Sequence, residues 1–174
     1  MSAEFRAGIV NHIPALRAYA RVLQRDREAA DDLVQKCLAR AIAKQHLWQP
    51  GTNLKAWLFT ILHNLFVNSV RRRGRTETYG DPATELHLFQ PEQQTGTMRL
   101  RELEAAFHQL PEEYRETLAL IVMQGMRYGE AAEVQNVPIG TIRSRVFRGR
   151  QELKRRLGLA SETHIKNAEN LTLE

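Results

Sequence analysis

The sequence predicts an all-α protein: two small helical domains joined by a flexible linker, the second containing a helix-turn-helix. Three observations carry this expectation. Apolar residues recur at helical spacing from residue 3 to residue 75 and again from 98 to 157, as in helices with one buried face. Between these stretches the period fails, and Gly80, Pro82, Pro91 and Gly96 punctuate a polar segment. A structureless run of that length is unusual inside one compact domain, so residues 76–97 read as a linker. Finally, Asn136 stands between two helical patterns, and asparagine tolerates the left-handed conformation of a tight turn. The expected division is a helical bundle over 1–75, the linker over 76–97, a helix-turn-helix domain over 98–158 and a polar tail over 159–174.

Residues 3–25 carry Ile13, Leu16, Ala20 and Leu23 at helical spacing, with Pro14 near the expected helix start. Asp26 suits the N-cap of a second helix, from about Arg27 to His46. Ala30, Leu33, Val34, Cys37, Leu38, Ala41 and Ile42 form its apolar stripe, in which Cys37 reads as a small core residue. The other face shows Asp31, Asp32, Gln35, Lys36 and Arg40, and its simplest reading is a solvated surface. Gln49-Pro50-Gly51 then turns the chain.

A helix of about five turns follows from Leu54, with Asn53 as N-cap and Gly74 as its stop. Leu54, Leu58, Leu62 and Leu65 share one face, flanked by Phe59, Phe66 and Val70. Opposite runs a narrow polar stripe of Thr60, Asn64, Asn68 and Arg71, with Trp57 at its upper edge, ending in Arg71, Arg72, Arg73 and Arg75. Amides can hydrogen-bond to bases, an aromatic ring can stack and arginines can hold phosphates. A solvated face whose positive end suits the helix dipole fits the same residues.

Leu86, Leu88 and Phe89 are the only apolar cluster of the linker. Fully extended, that segment would reach about 70 Å; as a flexible coil it would span about 25 Å. Beyond it, Leu100, Leu103, Phe107 and Leu110 mark a helix ended by Pro111. Tyr114, Leu118, Ile121 and Val122 mark the next, ended near Gly125. A short helix with Ala131, Ala132 and Val134 leads to Asn136, and its small residues allow a close crossing. The second helix of the pair starts around Pro138 to Thr141 and runs to about Leu157. From Ile142 to Leu157 it has seven basic residues and one acid, Glu152. With its amino end in a major groove, such a helix contacts both bases and phosphates.

The 174 residues are 43% apolar and 26% charged, which supports a packed core and argues against a disordered chain. A net charge of +5 favours a polyanionic partner. Cys37 is the only cysteine, which excludes a disulfide framework and fits a reducing cytosol. The six histidines are scattered without metal spacing. No phosphate loop, serine elbow or metalloprotease helix appears, so no catalytic residue, metal or cofactor is expected. No signal peptide and no run of roughly 18 apolar residues is present, so the expected location is cytoplasmic, without membrane insertion.

Four motifs in register, spread over roughly residues 10–157, resemble the extracytoplasmic-function (ECF) sigma factors. They are Asp31-Asp32-Leu33-Val34-Gln35, Ala56 to Asn64 (AWLFTILHN), Leu110 to Arg115 (LPEEYR) and Gly140 to Arg148 (GTIRSRVFR). The variant Gln49-Pro50-Gly51-Thr52-Asn53 resembles the branch with the general-stress factors of alphaproteobacteria. The resemblance implies a non-enzymatic subunit of transcription initiation in the cytoplasm. Asp31, Asp32 and Gln35 would bind the β′ clamp helices of core RNA polymerase, and the second domain would meet the β flap. Trp57, Asn64, Asn68, Arg71, Arg72, Arg73 and Arg75 would lie at the minus-ten element of promoter DNA, with Asn64 at a flipped-out base. Thr141, Arg143, Ser144, Arg145, Phe147 and Arg148 would read the minus-thirty-five element. The two elements lie somewhat over one and a half turns apart, at about 34–36 Å per turn, and the linker would strap along polymerase between them. An anti-sigma protein is the implied regulator.

Three positions depart from the family pattern: Lys36 stands where an acid is common, Gly129 where a glutamate is, and Gly149 where an alanine is. Each glycine is expected to cost about 0.5–1 kcal/mol against alanine. The alternative reading is a sigma-mimic adaptor that sequesters an anti-sigma factor without touching DNA. Such mimics carry a receiver domain, for which the chain has no room, and have no use for base-reading amides. An ordinary helix-turn-helix repressor would leave the first domain idle.

Overall fold

The computed structural model describes residues 3–24, 26–76 and 98–159, and the side chains of these except at residues 3 and 73–76. Every regular element among the described residues is a helix: α1 Ala3–Leu23, α2 Arg27–Ala43, a short 3₁₀ turn Gln45–Leu47, α3 Leu54–Thr76, α4 Met98–His108, α5 Glu112–Leu118 continuing into a π turn Ala119–Met123, α6 Tyr128–Gln135 and α7 Ile139–Arg156. The expected cluster Leu86, Leu88 and Phe89, with the rest of 77–97 and the tail beyond residue 159, lies outside the described residues.

The caps form where the sequence placed them. Asp26 Oδ2 accepts from the Ala29 N–H at 2.7 Å, and Asn53 Oδ1 accepts from the Ala56 N–H at 3.1 Å. Pro14 does not start α1 but lies inside it. It removes one helical hydrogen bond, and the burial of Phe5, Ile9, Leu16 and Tyr19 along one face carries the helix through. α2 stops at Ala43, short of His46, because the Lys44 N–H closes on the carbonyls of Arg40 and Ile42 and the chain tightens. α3 continues through Gly74, the expected stop, to Thr76. Ile42 and Val70, placed on apolar faces by their spacing, are exposed.

α1, α2 and α3 pack pairwise around Leu16, Tyr19, Val34, Cys37, Leu58, Phe59 and Leu62. In the C-terminal half only the end of α4 is seated, through Ala106 and the following Leu110, so Leu100 and Leu103 are exposed rather than buried. After α5 the Gln124 N–H bonds to the Ala119 carbonyl at 3.0 Å, a wider loop than an α turn. The extra residue shifts the helical register, and Val122, expected on the apolar face, points to solvent. Asn136 adopts φ 52°, ψ 49°, the left-handed turn between α6 and α7. The two halves are not held apart: α3 packs on α6, α1 on α5 and the π turn, and their buried side chains form one continuous cluster.

Gly149 has a packing role that its sequence neighbours do not reveal. A Cβ there would meet Leu118 Cδ1 at 3.0 Å and Tyr114 Cβ at 3.1 Å, where α7 crosses α5, whereas one at Gly129 meets nothing within 4 Å. Gly149→Ala is therefore expected to lower stability by about 1–2 kcal/mol, overpacking outweighing the propensity gain. Gly129→Ala should raise it by up to about 1 kcal/mol. Thermal melts of the two variants check this: equal shifts of the same sign would contradict the crossing argument.

Candidate nucleic-acid interface

Along the polar edge of α3, Asn64 and Asn68 are exposed, one turn apart, and Arg71 and Arg72 continue the exposed surface. Asn64 follows directly on the buried His63. The upper part of the stripe is engaged inside the fold. Thr60 is half-buried, and its hydroxyl donates to the Ala56 carbonyl at 2.9 Å. Trp57 is half-buried, its ring 6.2 Å from that of Phe5, so in this arrangement it is a packing residue rather than an open stacking platform. The side chains of Arg73 and Arg75 lie outside the described residues.

The second basic surface is the outer face of α7. Arg143, Ser144, Phe147 and Arg148 are exposed and Thr141 is half-buried; the Ser144 hydroxyl donates back to the Thr141 carbonyl at 2.9 Å. Phe147 is 64% exposed. With Tyr128, Arg143, Arg150 and Lys154 it lines a shallow groove of about 330 Å³. Cations, a residue type that can hold phosphates, here flank rings of a type that can contact bases. The end of α7 is less positive than its composition implies. Arg155 and Arg156 both pair with Glu152, at 2.6 and 2.8 Å. The hydrogen bond from Arg155, with both guanidinium charges, holds the Glu152 carboxyl down at about 2.

Arg145 differs from its neighbours. Its guanidinium donates to Gln135 Oε1 at 3.3 Å and to Glu113 Oε2 at 3.2 Å, and only 22% of the side chain is exposed. Gln135 in turn accepts from the Thr117 hydroxyl at 3.0 Å. Arg145 thus ties α7 to both α5 and α6, which the spacing of the basic residues could not show.

On α2, Asp32 and Gln35 are exposed and Asp31 is partly covered, facing Arg17 Nε at 3.6 Å. Lys36 Nζ donates to Asp32 Oδ2 at 2.6 Å, so the unexpected cation sits one turn along, on an acid of the same face. Among the described residues no cluster of metal-ligating side chains occurs and no helix is long and apolar enough to cross a membrane.

A further polar group escaped the sequence reading: His63, Arg115, Glu116 and Gln135 are all buried. They meet where the two halves pack, and helical periodicity carries no signal for an interface between distant segments.

Residues 9–63 match the family model of the Sigma2 domain of PhyR, and residues 100–153 that of Sigma-70, region 4. The chain is 40% identical over 153 residues to the ECF RNA polymerase sigma factor EcfG of Rhodopseudomonas palustris, covering 88% of this chain and 84% of that one. It is 35% identical to the ECF RNA polymerase sigma factor SigE of Mycolicibacterium smegmatis, over 90% of this chain and 63% of that one. Among solved structures it superposes with a TM-score of 0.82 on the sigma factor RpoE in complex with the anti-sigma factor NepR from Bartonella quintana, at 38% identity, covering 91% of this chain and 99% of that one.

Proposed function

Because the chain belongs to the ECF sigma factor family, we propose that it binds core RNA polymerase, directs it to specific promoters and assists melting of the minus-ten element. Residues 1–75 serve as the polymerase and minus-ten domain, and residues 98–158 as the minus-thirty-five domain, joined through 76–97. The observation that carries this reading is the pair of exposed recognition surfaces on one chain: the amide and arginine edge of α3 and the Arg143, Ser144, Phe147, Arg148 face of α7. Asp32 and Gln35, with Asp31 beside them, offer the polymerase a polar surface outside the core of α2. The chain acts by binding rather than catalysis, in the cytoplasm, and the similarity to EcfG supports the general-stress branch. The similar RpoE is solved with its anti-sigma factor NepR, which supports an anti-sigma partner here; a net charge of +5 suits an acidic one.

In vitro transcription with core polymerase on a promoter panel tests the reading. Specific initiation is expected; silence on every promoter, with anti-sigma binding intact, would favour the mimic. Asp32→Ala together with Gln35→Ala is expected to weaken capture of core polymerase with an unchanged melt, and unchanged capture would move the contact elsewhere.

The two arginines at the start of α7 are expected to separate. Arg143→Ala should cost about 1–2 kcal/mol on the cognate duplex and little on a scrambled one, as for lost base readout. Arg145→Ala, which breaks the ties to Gln135 and Glu113, should lower the melting temperature and weaken both duplexes alike. Titrations on both duplexes, beside thermal melts, decide it; a selective loss for Arg145 with an unchanged melt would assign base reading to Arg145.

A further inference from the structure

The interface between the halves holds two ionisable groups from opposite sides. His63 of α3 and Glu116 of α5 are each 7% exposed, with His63 Nδ1 3.9 Å from Glu116 Oε2. Tyr19 of α1, fully buried, places its Oη 3.3 Å from the same Nδ1. Three more ties cross the seam. Arg115 Nε donates to the Val22 carbonyl at 3.2 Å, Asn53 Nδ2 to Glu130 Oε1 at 2.7 Å, and Lys55 Nζ to the Gln124 carbonyl. Separating the halves would return Glu116 and His63 to water.

We propose that packing of the two halves against each other is a proton-linked latch: closing traps one proton on the Glu116–His63 pair, and opening releases it. The inference concerns the free chain and does not depend on its promoter role. The groups facing the pair are Tyr19 from α1, Glu112 and Arg115 from α5 itself, and Arg145 from α7; α6 contributes the uncharged amide of Gln135 near Tyr19 and Arg145.

Burial, with the nearby Glu112, pushes the Glu116 carboxyl up to about 8 from its ordinary 4.5. Burial, with the Arg145 charge, pushes His63 down to about 4 from 6.5. The closed pair therefore keeps one proton across neutral pH, whichever atom carries it, whereas the open pair keeps only a fraction of one. The raised acid favours closure at low pH and loses that advantage as pH rises toward 8; the lowered histidine opposes closure as pH falls below about 6.5. The two effects nearly cancel between about pH 5 and 6. From pH 6.5 to 8.5 the closing constant is expected to fall about tenfold.

In the closed form α3 packs on α6 and α6 on α7, so opening would release the helices that carry the two recognition surfaces from one another.

Single-molecule energy transfer on the full chain tests the latch, with dyes on Ala43→Cys in α2 and Glu104→Cys in α4, both exposed positions. Cys37 needs no replacement, being fully buried with its thiol pushed up to about 12 by burial. The ratio of extended to compact molecules is expected to rise about tenfold from pH 6.5 to 8.5. In Glu116→Gln, which keeps the shape of the protonated carboxyl, it should stay low at both. A ratio that does not change with pH, a chain compact at both values, or a Glu116→Gln variant that follows the unmodified chain would each overturn the proposal.

Discussion

Arg115→Met is expected to cost the fold about 3–5 kcal/mol, read as a lower midpoint of urea unfolding. Arg115 is 5% exposed, and its guanidinium donates to the carbonyls of Val22 at 3.2 Å, Leu110 at 3.2 Å and His108 at 3.4 Å. Val22 and His108 lie in the last turns of α1 and α4, where carbonyls lack partners within the helix and the dipole end is negative. One planar cation therefore closes the ends of two helices from opposite halves of the chain. Methionine keeps most of the apolar stem and none of the donors. Each abandoned buried carbonyl costs about 1–3 kcal/mol, partly offset because no charge is buried. Arg115→Lys should fall between, since an ammonium cannot reproduce the fork. A loss below about 1 kcal/mol for methionine would show that water replaces the guanidinium.

What could be read in the sequence was local chemistry. Asp26, Asn53 and Asn136 act through their own backbone neighbours, so residue type and position sufficed for two caps and a left-handed turn. The exposed amides Asn64 and Asn68 also followed, because the apolar period of α3 left them outside. Failures came where a distant segment decides the outcome. Pro14 obeys a rule for helix starts until the burial of α1 overrides it. Val122 kept the period of α5 on paper, and the π turn shifts that period. The contacts of Trp57 with Phe5, and of Arg145 with Gln135 and Glu113, likewise carried no signal in the spacing of their neighbours. Gly149 seemed a helix defect, and only the crossing of α5 gives it a purpose. The Tyr19, His63, Glu116 seam was invisible for the same reason: its members lie on three helices, and each alone is an ordinary polar residue.

Under the proposed minus-ten assignment, Asn64→Ala is expected to weaken open-complex formation by about 2–3 kcal/mol, on the order of 30- to 150-fold. Extruding a base costs a few kcal/mol, which the protein must offset through hydrogen bonds and stacking around the flipped nucleotide. Asn64 offers both an amide donor and an acceptor, and it is exposed beside the buried His63, whose interface anchors that turn of α3. Asn68 and Arg71 continue the same exposed edge, which this assignment would turn toward the melted strand. Because Asn64 lies outside the core, its loss should leave the thermal melt and capture of core polymerase near those of the unmodified chain. Arg71→Ala should instead weaken promoter binding with little change in base preference, as for a phosphate contact. Permanganate footprinting of the variant holoenzymes separates the two. Normal melting by Asn64→Ala, with unchanged preference at every minus-ten position, would make Asn64 a solvated surface amide and shift base capture to other residues of the edge.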